Sequence, residues 1–255
     1  MISYTDPPRL PTIDLSLFDV GDPWRDHVAA QVDWAANTFG LFQILGHGVD
    51  PALIDTLLEL GEKYVALEGG LPHRSTGPEA LPGFQDTVRE YTTTMTGLGH
   101  KLMTTIARGL HLADSFFVDR YSGNPVTKLR IHDYPVLLTG GRDFAAVETN
   151  DRGLLTIVKL GESGGQQVRL NDQWVDVPAL PHALLCYVGP VLEQLTAGRY
   201  MSATHRSSRT DLRLRPSVSF SFEPRPDTVL TPVVGVGARP SIHKPADRYV
   251  FEARC

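Results

Sequence analysis

From Lys128 onward the chain breaks into short apolar runs, each bounded by Gly, Pro or clustered polar residues. Candidate strands read over 128–134, 144–149, 153–159, 166–169, 183–188 and 216–222. Many short strands at this spacing predict a sandwich or barrel. The first part of the chain has another texture. Pro11-Thr12-Ile13-Asp14-Leu15 alternates like a short strand. Asp22-Pro23 reads as a helix start, with Asp accepting N–H bonds at the cap and Pro fitting the first turn. Val28, Val32, Ala35, Ala36 and Phe39 follow at helical spacing, and the run to Gly48 opens a buried strand. Asp50-Pro51 starts a second helix, with Ile54, Leu57, Leu58 and Val65 on one face. A long helix follows from Asp86 to about Leu112, its stripe of Val88, Tyr91, Met95, Leu98 and Leu102 reading as core packing. The expectation is one α+β unit, α-rich first and β-rich second.

Several function classes fall away on composition. The net charge is -5 and no basic block occurs, which excludes nucleic acid and an anionic membrane as expected partners. No apolar run approaches the roughly 20 residues of a membrane-spanning helix, and the start MISYTDPPRL lacks the layout of a signal peptide. With two cysteines, Cys186 and Cys255, no disulfide framework is expected and a reducing cytoplasm is the expected compartment. Cys186 reads as core. Ser202 and Thr204 lie near His205, but sequence proximity is poor evidence for a Ser–His pair. Gly161-Glu162-Ser163-Gly164-Gly165 lacks the Lys-Ser/Thr ending of a phosphate loop and reads as a hairpin turn.

Four pieces carry a more specific signal: Thr149-Asn150-Asp151-Arg152-Gly153-Leu154-Leu155-Thr156, Trp174-Val175-Asp176-Val177, the stretch from Leu195 to His205-Arg206, and Arg215-Pro216-Ser217. Together they resemble the isopenicillin N synthase-like, 2-oxoglutarate/Fe(II)-dependent dioxygenases, and the likeness extends over nearly the whole chain. The helix, strand, Gly46-His47-Gly48 turn and helix resemble that family's N-terminal module, which makes His47 a turn residue. The resemblance implies a double-stranded β-helix (jelly-roll, cupin-like) core over 128–225, a helical N-terminal module over 1–112, and a single domain over 1–255. Relatives carry a longer segment where 69–85 reads as a loop, so a more open pocket, or a lid from elsewhere, is implied.

The family's metal site is two imidazoles and one carboxylate on one face of the ion. The resemblance implies Asp151 as the carboxylate and His205 as the distal imidazole. Arg215 and Ser217 match the Arg-x-Ser that grips the 2-oxoglutarate carboxylate, through a bidentate guanidinium and a hydroxyl. Tyr134, in Leu129-Arg130-Ile131-His132-Asp133-Tyr134, resembles the tyrosine that binds the same carboxylate. The departure is Thr149, which stands where the family has its first metal histidine. A neutral hydroxyl is a poor Fe(II) ligand, and Glu148 points to the opposite face of an extended strand. His132 falls on the same face as Tyr134 and is open to two readings: a replacement ligand, or a buried histidine bonded to a neighbour. Tyr187 and Pro190 also differ, standing where relatives read Asn and Asp. The cofactors implied are Fe(II) and 2-oxoglutarate, and both turn on Thr149.

Three functions are compatible with this pattern. One is an oxidoreductase of the 2-oxoglutarate/Fe(II) dioxygenase type acting on a small organic molecule, in natural-product tailoring, with an altered ligand set. Another is a metal-independent cyclase, isomerase or lyase using His205 or Asp151 as acid or base. The third is a non-catalytic binding protein.

Overall fold

The computed structural model describes residues 10–67, 81–132, 153–161, 166–207 and 217–233. Strands β1 (Thr12–Asp14) and β2 (Leu41–Leu45) flank helix α1 (Trp24–Thr38). Helices α2 (Pro51–Leu67) and α3 (Phe84–Gly109) come next. Strands β3 (Val126–His132), β4 (Leu155–Lys159), β5 (Gln166–Leu170), β6 (Gln173–Val177) and β7 (Leu184–Val188) follow. A short helix α4 (Pro190–Leu195) precedes β8 (His205–Ser207) and β9 (Ser217–Glu223).

Among the described residues these strands form a six-stranded sheet, ordered β1-β2-β7-β4-β9-β3, and a three-stranded sheet, ordered β6-β5-β8. From β4 to β9 the chain crosses repeatedly between the two sheets, with β5 and β6 adjacent in the smaller one, which is the jelly-roll path that the family resemblance implies. The N-terminal part adds β1 and β2 to one edge of the larger sheet, with β2 antiparallel to β7. All ladders within the roll are antiparallel.

The larger sheet has two unlike faces. Ile157, Leu184, Cys186, Val218, Phe220 and Phe222 point outward into one core, shared with Val32 and Ala36 of α1 and Met95, Leu98 and Leu102 of α3. Close approach is built in: a Cβ on Gly99 of α3 would come within 2.6 Å of the Phe222 ring. The inner face meets the smaller sheet in a second core of Leu41, Val158, Leu160, Leu185 and Tyr187 with Val168 and Val177. His205 belongs to the smaller sheet, on β8, and Ser217 to the larger, on β9.

Two readings of the sequence need correction. Asp22 does not cap α1 with its side chain; its carboxylate instead accepts from the Arg108 guanidinium, which also binds Asp26 and Asp114. The hairpin expected at 161–165 does not join β4 to β5, which belong to different sheets; residues 162–165 themselves lie outside the described residues. The hairpin lies later, between β5 and β6, where Asn171 and Asp172 both have positive φ (48° and 63°), the mark of a two-residue type I′ turn. The expected strand over 144–149 lies outside the described residues.

Candidate active site

His205 opens β8 and stands opposite Val168 of β5. The run leading to it is pinned to both neighbouring helices. The Arg199 guanidinium donates to both carboxylate oxygens of Asp33 on α1, at 2.8 Å each, and the Tyr200 hydroxyl donates to the same group at 2.9 Å. Burial, and then that carboxylate, push the Tyr200 phenol far above its ordinary pKa, so it stays a donor. Glu193 of α4 accepts from the Ser202 amide at 3.0 Å and from the Ser202 hydroxyl. Ser202 is therefore committed to Glu193, not to His205. Gly40, at φ 71°, lets β2 start close to this run: any Cβ there would run into the Met201 carbonyl.

The imidazole of His205 is 7% exposed. Its Nδ1 lies 3.1 Å from the Ala203 carbonyl oxygen. A carbonyl only accepts, so Nδ1 carries the proton and the lone pair of the neutral ring sits on Nε2. That is the arrangement by which a backbone carbonyl orients a metal-binding histidine. One ring face lies parallel to Tyr187, with centroids 4.1 Å apart and planes 16° apart. Arg206, the next residue, turns away: its guanidinium sits 4.0 Å over the Trp174 ring and its Nε donates to Gln167 at 2.8 Å.

Across the roll, the inner face of the larger sheet carries a line of hydroxyls. Ser217, Ser219 and Ser221 alternate along β9, and all are buried. Thr156 of β4 stands between Ser221 on one side and Tyr187 on the other. The Oγ of Ser217 and the Oγ1 of Thr156 are buried without a hydrogen-bond partner among the described residues. Leaving such a hydroxyl unpaired costs about 1–3 kcal/mol. His132, at the end of β3, is the ladder partner of Ser217.

Of the residues singled out in the sequence, the described structure thus contains His205, Ser217 and the backbone of His132. His205 stacks on Tyr187 of the inner face; Ser217 stands on β9, two strands from β7 and four residues along from Ser221, the β9 residue level with Tyr187. Thr149, Asp151, Tyr134 and Arg215 lie outside the described residues. Gly153, two residues after Asp151, is described: φ is 116°, and a Cβ there would sit 2.7 Å from Glu223 and 3.0 Å from the Phe222 carbonyl. Only glycine joins the motif to β4 at this spot. Among the described residues no cluster of three or more His, Cys, Asp or Glu side chains is assembled. Cys186 is wholly buried, and burial pushes its thiol well above the ordinary range. His47 is a turn residue: its Nδ1 accepts from the Val49 amide at 3.1 Å, and its Nε2 reaches the His182 carbonyl at 3.0 Å. The contact of Tyr187 with His205 was not legible beforehand, because no local pattern announces a contact between residues on different sheets.

Residues 10–69 match the family described as non-haem dioxygenase in morphine synthesis N-terminal, and residues 116–224 match the 2OG-Fe(II) oxygenase superfamily. A probable iron/ascorbate oxidoreductase of Dictyostelium discoideum is 25% identical, with 89% of this chain and 85% of that protein aligned. Flavonol synthase 1 of Crocosmia x crocosmiiflora is 24% identical, over 82% of this chain and 74% of its own. A full-length Neurospora crassa protein, solved in complex with alpha-KG, superposes with a TM-score of 0.80 at 20% identity, covering 91% of this chain and 89% of that one. The shared architecture is the jelly roll described above.

Proposed function

This chain belongs to the 2-oxoglutarate/Fe(II) oxygenase superfamily, and we propose that it is an oxidoreductase of that type with an altered metal ligand set. The superfamily uses Fe(II) and 2-oxoglutarate. The observation that carries the reading is the placement of His205: it is buried, with Nδ1 oriented by the Ala203 carbonyl, the way a backbone carbonyl orients a metal-binding histidine. The unpaired Ser217 hydroxyl supports it from the other side, since a carboxylate accepts the proton that Ser217 has nowhere else to place. These two groups fit the cofactors.

In this reading His205 and Asp151 hold Fe(II), and His132 or water takes the position that Thr149 cannot fill. Arg215, Ser217 and Tyr134 hold the 2-oxoglutarate carboxylate. Bound together with O2, these cofactors supply an oxidant at the metal, with 2-oxoglutarate leaving as succinate and carbon dioxide. The chain's own work is positional. Ala203 fixes the tautomer of His205, and Arg215 and Ser217 set the direction of the cosubstrate. The apolar Val158, Leu160 and Val168 keep the surroundings at low dielectric, where charge-assisted contacts are strongest. The substrate is a small organic molecule, and the flavonol synthase among the relatives supports natural-product tailoring. The enzyme works as one domain in the cytoplasm; among the described residues no helix is long and apolar enough to cross a membrane.

Thr149 favours a second reading, a metal-independent cyclase, isomerase or lyase in which the Nε2 lone pair of His205 acts as base. Metal content and one variant separate the two. The oxygenase reading expects iron to co-purify with the untagged protein and Thr149→His to tighten Fe(II) binding in anaerobic titration. A metal-free active protein, whose Thr149→His variant gains metal and loses activity, establishes the second reading.

A further inference from the structure

Tyr187 belongs to the most constrained part of the molecule. It lies on β7, which is laddered on both sides, so that Tyr187 pairs with Leu41 of β2 and with Thr156 of β4. Its ring is 1% exposed. Its hydroxyl reaches Gln166 Oε1 of β5 at 3.5 Å, the outer limit of a hydrogen bond. The phenol therefore bridges the two sheets. On the other side of the bridge, β8 is three residues long and is paired, among the described strands, with β5 alone. The imidazole that begins β8 has two soft torsions, and the Ala203 carbonyl restrains one edge of the ring. Rotation about χ2 would carry Nδ1 away from that carbonyl. The parallel contact with Tyr187, at 4.1 Å and 16°, blocks that rotation, because a turned imidazole would drive its edge into the phenol face.

We propose that Tyr187 is a positioning residue for His205, holding the imidazole plane so that Nδ1 stays on the Ala203 carbonyl and the Nε2 lone pair keeps one direction. The inference rests on the reading of His205 as a ligand for its importance, though not for its geometry. With threonine at position 149, the remaining imidazole contributes a larger share of any metal affinity, so its preorganisation matters more than in a site with two. The effect of Tyr187 is transmitted through the ring it faces, in the way that outer partners of metal-binding histidines set their orientation.

The test uses the full-length, metal-free protein and three variants: Tyr187→Phe, which keeps the ring, and Tyr187→Leu and Tyr187→Met, which remove it at two different shapes. The first readout is imidazole nitrogen NMR, with the His205 signals assigned by their loss in His205→Gln. The wild type and Tyr187→Phe should show one Nδ1–H tautomer, with the carbon-bound ring protons shifted upfield by the facing ring. The Leu and Met variants should lose that shift and show exchange between tautomers. A single unshifted tautomer in wild type, or an unchanged tautomer in either ring-less variant that stays folded, overturns the proposal. The second readout is anaerobic Co(II) titration, where loss of the ring should weaken binding by about tenfold, at the low end for an outer partner of a metal ligand, and Tyr187→Phe should restore it. A wild type that binds no Co(II) while keeping the predicted NMR pattern overturns the oxygenase reading and leaves the positioning role of Tyr187 supported. Equal Co(II) affinity in wild type and the ring-less variants overturns the positioning role for the metal site.

Discussion

Strand β9 carries two chemistries on alternate residues. Val218, Phe220 and Phe222 face outward into the helices, and Ser217, Ser219 and Ser221 face inward beneath the smaller sheet. The outward side chains of β9 are all apolar and packed into the helical core, where one hydroxyl, on Tyr91 of α3, is buried without a partner among the described residues. The inward face is incomplete, since two of its hydroxyls, on Ser217 and Thr156, are buried without partners among the described residues. A fold that tolerates this imbalance holds stability on one side of a sheet and binding chemistry on the other, which is how one architecture serves many reactions.

If that division is real, substitutions on the two faces of a few adjacent strands should fail in different ways. The largest effect belongs to the outer face. Phe220→Ala should lower unfolding free energy by about 3–5 kcal/mol, the usual cost of emptying a buried aromatic site, as read by urea denaturation. A loss below about 1 kcal/mol would mean that the helices do not rely on this face. Next comes the proposed carboxylate clamp. Arg215→Ala should cost about 2–5 kcal/mol of 2-oxoglutarate binding in titration calorimetry, and unchanged affinity would remove Arg215 from the site. The smallest effect has the opposite sign. Thr156→Val should stabilise the ligand-free protein by about 1 kcal/mol, because it removes a buried hydroxyl that has no partner among the described residues. A destabilised Thr156→Val would show that the hydroxyl is satisfied after all, and would weaken the contrast between the faces.

Much of the architecture could be read from the sequence, for physical reasons that differ by element. The helical stripe of Tyr91, Met95, Leu98 and Leu102 is the buried face of α3, because a period of 3.6 is a strong and local signal. The runs at 155–159 and 184–188 are buried along almost their whole length, and their continuous apolar character announced them. Two strands escaped notice. β8 has three residues and no pattern to detect, and β6 alternates weakly in burial. The Asn171-Asp172 pair was an available signal for β6, as a two-residue turn that tolerates positive φ. Asp22 misled because a carboxylate before Pro has the composition of a cap, whereas Arg108 on the distant α3 competes for it. The site shows the same limit. His205 and Ser217 carry motif context and could be named in advance. The Tyr187–His205 contact joins residues on different sheets, and Thr156 reads as an ordinary member of a buried strand.

Everything proposed for the site depends on His205 and Asp151 holding Fe(II) and on Ser217 and Arg215 receiving 2-oxoglutarate. A structure of crystals soaked anaerobically with Fe(II) and 2-oxoglutarate decides this. The expected result is one metal ion with His205 Nε2 at about 2.0–2.2 Å, the usual imidazole range, Asp151 as its carboxylate ligand, and the distal carboxylate of 2-oxoglutarate on Arg215 and the Ser217 hydroxyl. A metal-free His205 under saturating Fe(II), or 2-oxoglutarate bound away from Ser217, would contradict it.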